Sequence, residues 1–160
     1  MRSLFISGFI ILITVHSFAQ SDFRKNDVYG ELFGNGMGVS VNYEKQTGNK
    51  PGLGLRIGLG YASADQKFRV SIPVGINYLF DLGNHKSFIE TGLGVTWADQ
   101  EIWKNAAPGE FHQFRPGFIP SVGYRHHTPY QLMWRINYTP FFTKYRNSAL
   151  FIGISVGLRV

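Results

Sequence analysis

The segment from Phe68 to Phe80 (FRVSIPVGINYLF) constrains the fold most strongly, because its side chains alternate in character along its whole length. The residues of one set are all apolar or aromatic: Phe68, Val70, Ile72, Val74, Ile76, Tyr78 and Phe80. The residues between them are small, polar or charged, with Leu79 as the exception. Since a β-strand points successive side chains to opposite faces, this pattern predicts a long strand with one wholly apolar face. Such a face is buried by a second sheet in a soluble sandwich and by lipid in a membrane barrel.

The same alternation recurs along the rest of the chain. It predicts strands at residues 28–34, 37–45, 53–62, 68–80, 87–98, 114–126, 131–140 and 148–160. Asn35-Gly36 is a strong two-residue hairpin signal, because both positions tolerate a positive φ. Turn-forming residues separate most of the other strands, and residues 99–113 form the longest connection. The chain is therefore predicted to be all-β, an antiparallel eight-stranded up-and-down transmembrane β-barrel after a cleaved signal peptide.

The first 19 residues are typical of a secretory signal. Arg2 gives a positive start, residues 4–15 form an apolar core, and Ser17-Phe18-Ala19 is a small-x-small cleavage site. The alternative, a retained helical anchor, is disfavoured because the apolar run is short for a span of about 20 residues. We expect a signal peptide at 1–19, a short periplasmic lead-in at 20–27 and an outer-membrane barrel at 28–160. The 160-residue chain has no Cys, which excludes disulfides, thiolate metal sites and a Cys nucleophile.

Three features favour lipid over a soluble environment around the apolar faces. The cores of these faces carry no formal charge, and aromatic residues gather near their strand ends, as in the girdles of membrane barrels. These aromatic residues are Tyr43, Tyr61, Tyr78, Phe80, Trp97, Tyr124 and Tyr138. The opposite face is rich in Gly and carries charges of both signs. Pro73, Pro116 and Pro120 are unexpected in a closed barrel, because Pro cannot donate to the strand ladder.

The charged residues of the opposite face are predicted to form a structural network in the lumen. They are Glu31, Glu44, Glu90, Arg56, Arg69, Arg125, Arg135 and Arg159. An eight-stranded barrel has an interior that side chains just fill, so Gly leaves room for Arg, and Arg pairs with Glu. Five Arg against three Glu leaves positive charge that needs water or a carbonyl partner.

Segments such as SIPVGINYLF, FIETGLGVTW and FIGISVGLRV resemble small outer-membrane β-barrel proteins of Gram-negative bacteria, of the eight-stranded type of outer membrane proteins A and X. The similarity covers the whole mature chain, although it lies in alternation and not in signature residues. It implies an outer-membrane location, contact with lipid and lipopolysaccharide, delivery by periplasmic chaperones and the barrel assembly machinery, and a monomeric state. The chain departs from the family habit of ending in an aromatic residue, since Val160 is terminal.

The net charge of +6 does not indicate nucleic-acid binding. The Arg residues are spread singly through alternating segments, without a Lys/Arg stripe interleaved with stacking aromatics. Attraction to anionic lipid headgroups is the more natural use of this charge.

Some barrels of this architecture act on lipid, so the polar residues were weighed as catalytic groups. The best constellation is Glu101, Glu110 and His112 in the long connection, with Ser63 from a neighbouring loop. A solvated loop explains these residues more simply. His85, His126 and His127 are predicted at turns, where adjacent His point to opposite faces and a metal site is disfavoured. We therefore assign no catalytic, cofactor-binding or metal-binding residue.

The leading interpretation is a non-enzymatic outer-membrane barrel with a structural, envelope-integrity or surface-interaction role through its loops. Two alternatives remain open. One is an outer-membrane lipid-modifying enzyme, a hydrolase or an acyltransferase. The other is a soluble periplasmic ligand-binding barrel with its apolar face inward.

Overall fold

The alternating segments pair as neighbours and curl into a closed antiparallel barrel in the computed structural model, which describes residues 23–64, 67–99, 114–143, 147–148 and 150–160. The strands are β1 (Asn26–Phe33), β2 (Gly38–Gln46), β3 (Leu53–Ala64), β4 (Lys67–Asp81), β5 (Ser87–Asp99), β6 (Phe114–His127), β7 (Leu132–Tyr138), β8 (Phe141–Phe142), β9 (Asn147–Ser148) and β10 (Ile152–Arg159). Each strand from β1 to β6 pairs with the next, and β10 closes the ring by pairing with both β7 and β1. The predicted signal peptide lies outside the described residues.

Eight strands form the wall, because β8 continues β7 in the same register. Tyr138 pairs with Val122 of β6, and Phe142, four residues further along, pairs with Phe118, four residues earlier. The two-residue strands β8 and β9 form a small hairpin that extends the wall beyond β7. The predicted all-β fold and the eight-stranded antiparallel barrel are therefore confirmed. Among the described residues, no helix is long and apolar enough to cross a bilayer.

The three prolines lie where the ladder does not need their N–H groups. The β3–β4 pairing runs from Leu53↔Tyr78 to Ile57↔Val74 and resumes only at Gly60↔Ser71, so it lapses beside Pro73. Pro116 and Pro120 lie in the half of β6 that precedes its pairing with β7, which begins at Val122. On the other side, both prolines are paired with β5, Pro116 with Trp97 and Pro120 with Leu93. No described residue of β7 or β8 pairs with Pro116 or Pro120, so a missing donor is tolerated at both positions.

The two faces of the wall separate as the alternation predicts. On β4, the outward Val74, Ile76 and Tyr78 are exposed to the surroundings of the protein, whereas the inward Asn77 and Leu79 are buried. The described end of the lumen beyond Ile119 is apolar, with a cluster of Ala98, Ile119 and Phe141 that Met37 and Phe151 contact. The rest of the interior is mainly polar.

The connection between β1 and β2 departs from the predicted two-residue hairpin. Gly34–Gly36 form a 3-10 turn whose three residues are all buried, so the turn folds into the barrel. Positive φ values of 60° at Phe33 and 66° at Met37 produce this change of direction. Gly34 itself has a φ of 58°, and a side chain there would meet the Glu31 carboxylate at 2.7 Å, so glycine is required at this position. As a result Phe33 is exposed, although strict alternation from the buried Tyr29 and Glu31 would point it inward.

We expect Pro120→Ala to change the free energy of unfolding by about 1 kcal/mol or less, since Pro at a compatible site contributes mainly by stiffening the unfolded chain. Ile136→Pro, in the part of β7 that is paired on both sides, should be far more destabilising. Urea unfolding of the refolded protein measures both changes. A large loss of stability in Pro120→Ala would contradict the conclusion that Pro is tolerated at this position.

Candidate functional site

The lumen reverses the usual distribution of side chains in a protein interior. Among the described residues, twenty buried side chains are polar or charged and seven are hydrophobic. Buried ionised groups are costly unless they are paired and hydrogen-bonded. The candidate site is therefore the set of buried charged side chains that pair with one another, which we call the lumen network: Asp27, Glu31, Glu44, Glu90, Arg125 and Arg135.

Arg125 of β6 is the centre of the lumen network. Its Nη1 and Nη2 donate to the two carboxylate oxygens of Glu44 at 2.7 and 2.8 Å, which is a bidentate pair. Its Nε donates to Glu90 at 2.8 Å, and Nη1 also reaches Asp27 at 3.0 Å. The guanidinium and all three carboxylates are buried. One cation thus holds strands β1, β2 and β5 to β6 across the lumen.

Arg135 of β7 extends this network towards the turn at Gly34–Gly36. It donates from Nη2 to Glu31 at 3.0 Å, from Nη1 to Glu90 at 2.9 Å and from Nε to the Ser155 hydroxyl at 3.1 Å. Its guanidinium carbon also lies 4.3 Å from the centre of the Tyr29 ring, in a cation–π arrangement. Glu90 bridges the two arginines, so the two clusters form one unit.

Neutral groups complete the hydrogen bonding of the carboxylates. Asn77 and Gln46 both donate to Oε1 of Glu44, at 2.8 and 2.9 Å. The Gly36 amide and the Ser40 hydroxyl donate to Oε2 of Glu31, at 3.3 and 3.4 Å. The hydrogen bond from the Gly36 amide ties the inward turn to the lumen network.

The other three predicted arginines donate no hydrogen bond to these carboxylates among the described residues, although Arg159 lies close to Asp27. Arg159 is half-buried at the end of the barrel where β1 begins and β10 ends. Its Nη2 donates to the Arg24 carbonyl at 3.1 Å, and its Nε lies 3.8 Å from Asp27. Its guanidinium also covers the Phe23 ring at 5.2 Å. Arg69 is half-buried on β4, level with Ala62 of β3. Arg56 is buried without a hydrogen-bond partner among the described residues.

The sequence does not predict that Asp27 belongs to the lumen network. Nor does it predict that Tyr29, Asn77 and Ser155 contact this network. Asp27 lies in the predicted lead-in, whereas β1 begins at Asn26, two residues before its predicted start. Extending the alternation of Tyr29 and Glu31 backwards by one more step would have placed Asp27 inside. The uncharged residues carried no comparable signal, because hydroxyl and amide side chains also occur throughout turns.

The catalytic candidates are not assembled by the described part of the chain. Glu101, Glu110 and His112 lie outside the described residues, as does the side chain of Ser63. His127 is buried against Phe88, with 4.7 Å between ring centres, and His85 pairs with Asp81 in an exposed turn. Within the described residues, no group of three or more His, Asp or Glu side chains is placed to hold a metal ion.

A Ser–His contact that the sequence did not predict lies on the outer face. Ser87 Oγ is 3.2 Å from Nδ1 of His126, and it accepts hydrogen bonds from Tyr124 and Asn84. A hydrolytic Ser–His pair needs a third group that orients the imidazole. Among the described residues, no carboxylate pairs with His126. Trp134 instead packs against the imidazole ring, 5.6 Å away between centres.

Comparison of the chain with protein-family models, with curated proteins and with solved structures finds no match. The function therefore has to be inferred from the geometry of the barrel itself.

We expect Arg125→Met to lower the free energy of unfolding by about 3–5 kcal/mol, because it leaves buried carboxylates without their cation. Lys50→Met, which removes the same charge from an exposed turn, should change stability by about 0.5 kcal/mol or less. Urea denaturation of the refolded variants gives both values. Equal midpoints for the two variants would mean that Arg125 is solvated and not buried in an ion-pair network.

Proposed function

We propose that the chain is an integral outer-membrane β-barrel without enzymatic activity, which serves envelope integrity or surface interactions through its loops. The observation that carries this proposal is the outer face of the barrel. Away from the strand ends, the outward positions of the described strands carry no formal charge. Large apolar side chains are exposed around the whole ring, for example Val41 at 62%, Leu59 at 62% and Val156 at 58%. Exposed apolar surface of this extent indicates contact with lipid or protein.

The aromatic residues of the outer face support lipid as the partner. Most of them lie in two bands on the wall, whereas Tyr138, predicted near a strand end, lies between the bands. One band, near the end where β1 begins, consists of Tyr43, Tyr78, Phe80, Tyr124 and Trp134, and the other consists of Tyr61, Trp97, Phe118 and Phe142. Aromatic side chains favour membrane–water interfaces, and two such bands are typical of barrels that span a bilayer.

The shape of the outer face is compatible with acyl chains. A groove of about 630 Å³ runs over β3, β4 and β5, with Leu55, Val74 and Leu93 in its lining and Gly75 and Gly94 at its floor. Lys45 lies at its margin and would suit an anionic headgroup. The groove thus combines an apolar trough with the exposed cation of Lys45, and the buried Arg56 also lines it.

The interior supports a structural role over catalysis or wide-channel transport. The lumen network fills the cross-section with paired side chains, and the Gly34–Gly36 turn occupies the space beyond it. An eight-stranded barrel has no spare volume for an aqueous channel once its side chains are in place. This leaves the connections between strands as the part of the protein available to partners.

The remaining elements of the proposal follow from the expected signal peptide and barrel type. The mature chain would leave the inner membrane, be carried by periplasmic chaperones, and be inserted by the barrel assembly machinery of a Gram-negative cell. Lipid and lipopolysaccharide would then surround it as a monomer. It would need no cofactor and no nucleic acid.

Cell fractionation tests the proposal directly. The protein should sediment with outer membranes, require detergent for extraction, and migrate differently on gels before and after heating, because a closed barrel resists unfolding in cold detergent. Release by osmotic shock without detergent would overturn it in favour of the soluble periplasmic barrel.

A single strand provides a depth test. Val74 lies midway along the outward face of β4, whereas Tyr78 lies in an aromatic band. Arg at a bilayer midplane costs about 2–4 kcal/mol and near an interface about 0–1 kcal/mol. We therefore expect Val74→Arg to be much more destabilising than Tyr78→Arg, as measured by reversible unfolding in lipid.

Val74→Phe is the control that separates lipid from packed protein. Overfilling a packed core costs typically 1–3 kcal/mol, whereas fluid acyl chains accommodate the added volume. If Val74→Phe were as damaging as Val74→Arg, the outer face of β4 would have to be covered by protein.

A further inference from the structure

The groove over β3, β4 and β5 crosses the strands instead of following them. Outward side chains border it in two rows, which occupy neighbouring outward levels of the strand register. One row consists of Lys45, Leu55, Ile76 and Leu93, and the other of Tyr43, Ile57, Val74, Val95 and Phe118. The groove volume of about 630 Å³ falls within the range of about 300–1,000 Å³ that is typical of a site for one small molecule.

The floor of the groove is bare backbone that is packed from behind. Between the two rows, β4 and β5 carry Gly75 and Gly94, which pair with each other. A side-chain carbon on Gly75 would lie 2.7 Å from the carbonyl oxygen of Leu93, and one on Gly94 would contact the side-chain nitrogen of Asn35. The floor therefore cannot recede into the lumen, and the depth of the groove is set by the fold of the wall.

Lys45 gives the β2 end of the groove a positive charge. Its side chain is exposed, and no carboxylate pairs with it among the described residues. The carboxylates nearest to it along the strands, Glu44 and Asp27, belong to the lumen network on the opposite face. On the outer face beside Lys45, the Tyr43 hydroxyl donates to Oδ1 of Asn26 at 2.9 Å. An unpaired cation and hydrogen-bonding groups thus lie together where the apolar groove begins.

We propose that the groove binds one phospholipid with an anionic headgroup. The acyl chain lies between the two apolar rows, with Phe118 and Trp97 at its far end, and the phosphate contacts Lys45. Burial of the chain removes apolar surface from other surroundings, and the Lys attracts the headgroup. This inference rests on the contact between the outer face and lipid that is proposed above, and it adds a single site with a defined lipid class.

The position of Lys45 favours a phospholipid over lipopolysaccharide. Lys45 lies near the end of the barrel where β1 begins. The connections at this end are short, namely residues 47–52, 82–86 and 128–131, whereas the connection of residues 100–113 lies at the opposite end. Outer-membrane barrels have short turns on the periplasmic side and longer loops outside. Lys45 would therefore face the periplasmic leaflet, and lipopolysaccharide occupies the other leaflet.

Native mass spectrometry of the refolded protein in detergent micelles measures the bound lipid. Dioleoylphosphatidylglycerol is the anionic probe, and dioleoylphosphatidylcholine, with the same acyl chains and no net charge, is its control. Binding of the anionic lipid should saturate at one molecule per barrel and be about fivefold tighter, which is the effect of one Lys beside an anionic lipid. Equal affinity for the two lipids, no saturation at one molecule, or preferential retention of lipopolysaccharide would each overturn the proposal.

The charge of the site is tested with two lysines. Lys45→Met should weaken the binding of phosphatidylglycerol about fivefold and leave that of phosphatidylcholine unchanged. Lys86→Met removes the same charge from another exposed turn and should change neither affinity. Unchanged binding of phosphatidylglycerol to Lys45→Met would contradict the assigned headgroup contact.

The volume of the site is tested with two valines. Val95→Phe fills the groove between Val74 and Phe118 and should reduce the retention of both lipids. Val156→Phe makes the same change on the exposed face of β10, outside the groove, and should retain them. Full retention in Val95→Phe would place the lipid elsewhere on the barrel.

The outcomes separate this site from the membrane location on which it rests. A protein that needs detergent for extraction and migrates differently after heating, but retains no phosphatidylglycerol, is a membrane barrel without this site. A protein that osmotic shock releases without detergent contradicts both proposals.

Discussion

The structure depends on the need to pair buried charge across a narrow lumen. Asp27, Glu31, Glu44 and Glu90 come from three strands in the first part of the barrel wall, and Arg125 and Arg135 come from two strands further along the chain. Glu90 and Arg125 are neighbours on the paired strands β5 and β6, but Asp27, Glu31 and Glu44 meet their cations only when the sheet has curled round. In a partly formed sheet the same groups would remain in water or would be buried unpaired, at a cost of several kcal/mol per ion. The lumen network therefore favours the closed barrel over open sheets with the same strand pairing.

An apolar exterior and a charged interior are two consequences of one alternation. Successive side chains of a strand point to opposite faces of the sheet. Ile76 therefore lies on the apolar outer face, and its neighbour Asn77 lies on the polar inner face. Gly at many inward positions keeps the lumen from being overfilled by its arginines. This arrangement gives the wall no second hydrophobic layer, and its stability comes from the backbone ladder, the polar interior and whatever medium covers the outer face.

The sequence predicts the strands and their faces well because both depend on local alternation. For the same reason the sequence predicts which charged residues face the lumen. Five of them form the predicted ion pairs: Glu31, Glu44, Glu90, Arg125 and Arg135. It does not predict that Arg56 stays outside the lumen network, because pairing across the barrel depends on the relative stagger of distant strands. The inward turn at Gly34–Gly36 was also missed, since Asn-Gly is equally suited to a simple hairpin. The prolines became interpretable only when the register showed where the ladder lapses.

The buried turn between β1 and β2 has a practical consequence for displaying sequences on this scaffold. A peptide inserted at Asn35 would enter a space bordered by Ser71, Thr96 and Glu31, so its first residues would compete with the barrel interior instead of facing a receptor or an antibody. The turn around Gly48, by contrast, is exposed, so a peptide inserted there would leave the barrel interior undisturbed. For this scaffold, a short connection between two strands is not by itself a display site.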